Sequence, residues 1–174
     1  MATDESLITD VMGSLLRRTI HYFDAELGMP LAELSNGCKC TPDSLFLYDM
    51  TAIIGVGGNI NFLVAFSFES GLVDAIYSRT IDDLDVPAEE EQLYRESVVA
   101  EIVNIIVGNS TADYQLQDNN ISITPPIVLS MAKRIHRTKG AVFICRGLKT
   151  EFGHMCIDLV GPSELFDSNL DYVR

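Results

Sequence analysis

Glu101 and Asn104 stand three residues apart in Ser97-Val-Val-Ala-Glu101-Ile-Val-Asn104-Ile-Ile-Val-Gly108, an otherwise apolar stretch. At about 100° per residue, a helix gathers Ser97, Glu101, Asn104 and Gly108 into an arc of roughly 60°. Tyr94 falls beside that arc. A carboxylate pairs with a cation. A carboxamide donates and accepts hydrogen bonds without titrating, so it can hold water at any physiological pH. Fixed on one rigid element, the two could position a reactant where small displacements matter.

The rest of the stretch is apolar: Val98, Val99, Ala100, Ile102, Val103, Ile105, Ile106 and Val107. Such a helix must be buried on most sides, so its acid and amide emerge along one narrow slot. An ordinary solvent stripe on a core helix would have the same spacing. Two features weigh against it. Asn costs roughly half a kcal/mol relative to Ala inside a helix. Gly108 would let a partner's backbone approach closely, although a helix-ending cap is an alternative for it.

The elements that must hold this stretch follow from periodicity. Apolar spacing predicts a helix over 5–28, capped by Asp4 and ended by Gly28 and Pro30. Residues 31–43 read as a loop. Apolar runs at Phe46–Val56 and Ile60–Phe68 flank Gly57-Gly58-Asn59, a turn composition, and predict a hairpin. Phe62, Val64, Phe66 and Phe68 share one face of the second run. A short helix is expected over 70–81 and the motif helix over 88–107. Pro87 stands just before the latter, and Glu89, Glu90 and Glu91 favour its first turn. A strand over 121–129 is broken by Pro125-Pro126, which suggests an edge. Strands at 141–146 and 154–160 would form a second hairpin around 147–153. Residues 162–174 read as a polar tail or a short closing helix. Two hairpins without regular helix–strand alternation favour α+β architecture: a two-layer sandwich of a largely antiparallel sheet against long helices.

The composition sets bounds. The chain has 174 residues, 47% hydrophobic and 21% charged, which suits one globular domain over 1–174 with its core at about 5–161. A formal net charge of −13 would repel a phosphate backbone, so nucleic-acid binding is not expected. Asp82, Asp83, Asp85 and Glu89–Glu91 read as an acidic surface or an attraction to a basic partner. Lys133, Arg134, Arg137 and Lys139 form the one basic cluster. No apolar run is long enough for a membrane span, and MATDESLITD is acidic where a secretory signal is basic, so the cytoplasm is expected. Cys38, Cys40, Cys145 and Cys156 are expected to be reduced, and Cys38-Lys39-Cys40 is too closely spaced for a zinc knuckle. The run Gly55-Val56-Gly57-Gly58-Asn59 lacks the spacing of a nucleotide loop. His21, His136 and His154 are given structural or surface roles.

The Ser97–Asn109 segment resembles the CheC/CheX/FliY family of chemotaxis phosphatases. The family pattern is Asp or Ser, then Glu four residues on, Asn three further, and a Gly soon after, often with an Asn. A proline follows about one strand downstream. Pro125 or Pro126 fills that place, one or two residues nearer than usual. The 70–81 helix has no second Glu-Asn pair, so the chain is similar to CheX rather than CheC.

The resemblance implies hydrolysis of the phospho-aspartate on a CheY-like receiver domain. Glu101 would engage the receiver's lysine and Asn104 would orient the attacking water, while Ser97, Gly108 and Tyr94 would contact the partner. The receiver would supply Mg²⁺, with no metal bound by this chain. A homodimer joined through sheet edges is also implied. Two alternatives belong to other classes: a non-catalytic receiver- or adaptor-binding module, and a small-molecule sensor using the space between sheet and helices.

Overall fold

A computed structural model of the chain describes residues 4–35, 40–41, 44–58, 61–81, 85–115, 121–131, 134–136, 141–161 and 172–173. The loop cysteine Cys38, the acidic pair Asp82 and Asp83, three members of the basic cluster (Lys133, Arg137 and Lys139) and most of the 162–174 tail lie outside them.

The chain opens with helix α1 (Asp4–Ala25) and the short strands β1 (Ala32–Glu33), β2 (Cys40–Thr41) and β3 (Ser44–Phe46). The hairpin β4 (Met50–Gly57) and β5 (Phe62–Phe68) follows, then helices α2 (Ser70–Thr80) and α3 (Glu91–Gln115). Strands β6 (Ser122–Ile123), β7 (Ile127–Ser130), β8 (Arg134–His136), β9 (Val142–Thr150), β10 (Gly153–Gly161) and β11 (Tyr172–Val173) complete it.

The main sheet runs β1-β9-β10-β5-β4-β6, with β7 also paired to β4, and every pairing is antiparallel. The α+β expectation holds. Phe62, Val64, Phe66 and Phe68 share one face of β5 and join a single core with Met12, Leu15 and Phe23 of α1, Leu72 and Ile76 of α2, and Val99, Ile102, Val103 and Ile106 of α3. All three helices therefore cover the same face of the sheet. Each such fully buried side chain contributes roughly 1.5–3 kcal/mol.

Several boundaries differ from the sequence expectations, each for a physical reason. Helix α1 stops at Ala25. Gly28 adopts φ +58°, and the chain turns with Met29 N–H donating to Phe23 C=O at 2.8 Å. Helix α3 continues seven residues past Gly108, because Ser110 and Thr111 are buried and Asp113 is tied to α1. Pro125-Pro126 splits the 121–129 strand into β6 and β7, both on β4 at the sheet edge. The 147–153 loop is mostly strand, and the β9–β10 hairpin pairs from Thr150↔Gly153 to Val142↔Gly161.

The far face of the main sheet is not left to solvent. A four-stranded sheet, β11-β8-β3-β2, lies over it. Leu45, Leu47, Ile135 and Ala141 there pack against Ile53, Ala65 and Val160. Cys156, 1% exposed, is disulfide-bonded. That corrects the expectation of four reduced thiols.

Candidate active site

Helix α3 is held on three sides. Its apolar arc lies on the sheet. At its first turns Arg95 Nη1 donates to Glu91 Oε2 at 2.9 Å and its Nε to Asp74 Oδ1 of α2 at 3.0 Å. The guanidinium also sits 4.4 Å over the Tyr77 ring of α2. Glu96 Oε1 accepts from Gln92 Nε2 and from Ser130 Oγ of β7, both at 2.8 Å. Near the other end, Asp113 accepts from Ser14 Oγ at 2.7 Å and pairs with the Arg18 guanidinium of α1. The Arg18 and Ser14 hydrogen bonds hold the Asp113 carboxyl below its usual range. These contacts pin both ends of the helix and fix its rotation.

What remains uncovered is the arc singled out by the sequence. Ser97 and Glu101 are exposed; Tyr94, Asn104 and Gly108 are half-buried. Ser97 Oγ donates to its own helix, to Leu93 C=O at 2.8 Å, which leaves its lone pairs outward. Neither the Glu101 carboxylate nor the Asn104 carboxamide makes a hydrogen bond or an ion pair among the described residues. The contrast with Glu91, Arg95, Glu96 and Asp113 is sharp. The polar groups at the two ends of α3 are spent on the fold, and the two in the middle are not.

Gly108 lies inside the helix, so it is not a cap. A Cβ built there would meet nothing within 4 Å. Packing among the described residues gives no reason for a glycine that costs about 0.5–1 kcal/mol relative to Ala.

Sequence reasoning missed Tyr22. It stands on α1, half-buried against the core. Burial pushes its hydroxyl pKa up, and the Glu26 and Glu101 carboxylates push it further. Helix α1 thus brings a phenol toward Glu101, a neighbourhood that linear spacing could not reveal.

An open groove of about 530 Å³ lies on the other side of α3, at the starts of α2 and α3. Its charged groups are already partnered: Asp49 with Ser70, Asp74 with Arg95, and Glu96 with Gln92 and Ser130. It offers no second candidate. Among the described residues no three His, Cys, Asp or Glu side chains gather as a metal site, and no helix is long and apolar enough to cross a membrane.

The family described as "Chemotaxis phosphatase CheX" matches residues 50–146, more than half of the chain and all of the stripe. The chain belongs to the CheX family. Solved structures agree on the fold. The CheX chemotaxis protein of Desulfovibrio desulfuricans superposes with a TM-score of 0.71 at 17% identity, covering 86% of this chain and 97% of that one. CheX from Vibrio vulnificus gives 0.68 at 16%, covering 86% and 94%. A CheX-CheY-BeF3-Mg+2 complex from Borrelia burgdorferi gives 0.61 at 14%, covering 86% and 96%. No curated protein sequence matches the chain.

Proposed function

We propose that this CheX-family protein hydrolyses the phospho-aspartate of a CheY-like receiver domain, with the reacting groups divided between the two proteins. Glu101 pairs with a receiver lysine and sets the docking register. Asn104 enters the receiver's site, and its carboxamide holds a water in line with phosphorus. Water attacks, the bond from phosphorus to the aspartyl oxygen breaks, and inorganic phosphate leaves with the aspartate restored. The receiver's Mg²⁺ and lysine neutralise the phosphoryl oxygens. Nothing on this chain becomes covalently modified, so no nucleophile is required of it.

The observation that carries this reading is the unspent pair: an exposed carboxylate and a half-buried carboxamide, three residues apart on a pinned helix, with no partner of their own. The relative solved with CheY and BeF3 supports the choice of partner. Ser97, Tyr94 and Gly108 frame the contact. We place the protein in the cytoplasm and expect a homodimer through a sheet edge. The β6–β7 edge, with Ile123 and Ile127 exposed, suits that contact.

The test is phosphate release from a panel of phosphorylated receivers of the same organism, with wild-type protein and with Asn104→Ala. Wild type should accelerate release from at least one receiver. Asn104→Ala should lose on the order of 10²-fold, as when one positioned hydrogen-bonding group is removed. A folded Asn104→Ala variant with full activity refutes the mechanism. Receiver binding without faster release would replace it with a non-catalytic module.

A further inference from the structure

We propose that Leu93 and Gly108 are the two ends of the docking footprint on α3: Leu93 seats in an apolar recess of the receiver, and Gly108 admits the receiver's backbone. The identity of the partner rests on the phosphatase reading; the footprint itself rests on the helix.

Leu93 is 61% exposed. A single exposed leucine is ordinary on a protein surface. This one is distinguished by its place. It is eleven residues before Asn104, three turns of helix, and so falls within about 20° of the same azimuth. Of the other large aliphatic residues on α3, Val99, Ile102, Val103, Ile106 and Val107 are buried at 3% exposure or less, and Val98 and Ile105 are half-buried. Leu93 is also anchored in place, since its carbonyl accepts the Ser97 hydroxyl and the following Arg95 and Glu96 are fixed to α2 and β7.

Gly108 supplies the complementary feature. Helix α3 bears a helix-propensity cost there, and among the described residues nothing beyond the helix's own neighbouring backbone lies within 4 Å of where a Cβ would stand. A knob at one end and a gap at the other give the stripe a direction. Along the axis, Leu93 stands about 12 Å before Glu101, Glu101 about 4.5 Å before Asn104, and Asn104 about 6 Å before Gly108. The matching receiver surface presents, in that order, an apolar recess, a lysine, the acyl phosphate and a close-lying backbone segment. The recess lies about 16 Å from the carboxamide, beyond the reacting groups. Leu93 therefore strengthens binding of ground state and transition state alike, which raises affinity without changing turnover.

The experiment uses receivers loaded with BeF3⁻ and Mg²⁺ as the acyl-phosphate mimic, titrated with the full chain, together with steady-state phosphate release. Leu93→Ala should weaken Kd and raise KM by about tenfold, with kcat within twofold, and Leu93→Met should restore both. Gly108→Ala should raise the melting temperature yet weaken Kd, so its loss cannot be ascribed to unfolding. Wild-type Kd and KM in Leu93→Ala and Gly108→Ala, with hydrolysis intact, overturn the footprint and leave the phosphatase reading standing. Leu93-dependent binding without hydrolysis keeps the footprint and removes the phosphatase reading. Failure of every loaded receiver to bind overturns both.

Discussion

Replacing Asp158 with Asn should stabilise the protein by an amount that grows from near zero below about pH 4 to its full value above about pH 7. Asp158 is fully buried on the far face of β10, directly opposite Cys145, and beyond the weak donor of that thiol neither carboxylate oxygen has a hydrogen-bond partner among the described residues. Thr51 and Ser67 on the same face carry hydroxyls that are also unsatisfied among the described residues. Burial pushes the Asp158 carboxyl from 3.8 up to about 7, with the Cys145 thiol acting weakly the other way. Its charge also reaches Tyr48, whose pKa is raised by burial first and then by Glu69 and Asp158.

Between pH 4 and 7 the folded chain therefore binds a proton at Asp158 that the unfolded chain has released. Stability from this group is present in full below the unfolded value of 3.8 and is lost as pH rises through about 7. A difference of roughly three units corresponds to about 4 kcal/mol between the two limits. Asn is the neutral isostere of the protonated acid and abolishes that dependence. Urea unfolding of wild type and Asp158→Asn at pH 5, 6, 7, 8 and 9 gives the answer as a difference, in which other titrating groups cancel. The gap should widen with pH and flatten above about 8. Parallel profiles, or a variant that loses stability at high pH as wild type does, would refute the reasoning and require an unseen partner for the carboxylate.

Two further outcomes follow from the site and the sheet edge. Glu101→Gln should raise KM for phosphorylated receiver several-fold while the fold is unaffected, because the carboxylate makes no hydrogen bond or ion pair among the described residues; equal KM for both proteins in steady-state phosphate release would remove its docking role. Light scattering on the full chain should give twice the chain mass, and Ile127→Lys on the exposed edge should shift it toward one chain mass. A monomeric wild type would discard the sheet-edge dimer.

The helical site was legible in the sequence because its signal is local. An apolar arc over more than half of a helix fixes which residues face outward, so Ser97, Glu101, Asn104 and Gly108 could be named without a structure. The central hairpin was legible for a similar reason: Phe62, Val64, Phe66 and Phe68 alternate as a half-buried strand must. The end of α3 was not, because Asn109-Ser110-Thr111 has poor helix propensity and is held by tertiary contacts alone, Asp113 reaching Arg18 across 95 positions of chain. Tyr22 was hidden for the same reason.

The far face of the sheet shows where local pattern misleads. His154, Cys156 and Asp158 alternate with Met155, Ile157 and Leu159, which reads as a strand with one face in water. The rule behind that reading assumes a single covered face. Here the covering sheet is built from strands of two or three residues, too short to carry any periodicity. Nothing local therefore announces that Asp158 is buried or that Cys156 has left the pool of free thiols. Wherever a second layer is made of fragments, polar side chains on the strand beneath it look solvated in the sequence. In the fold they must pair, take up protons or remain unsatisfied, and Asp158 takes up a proton.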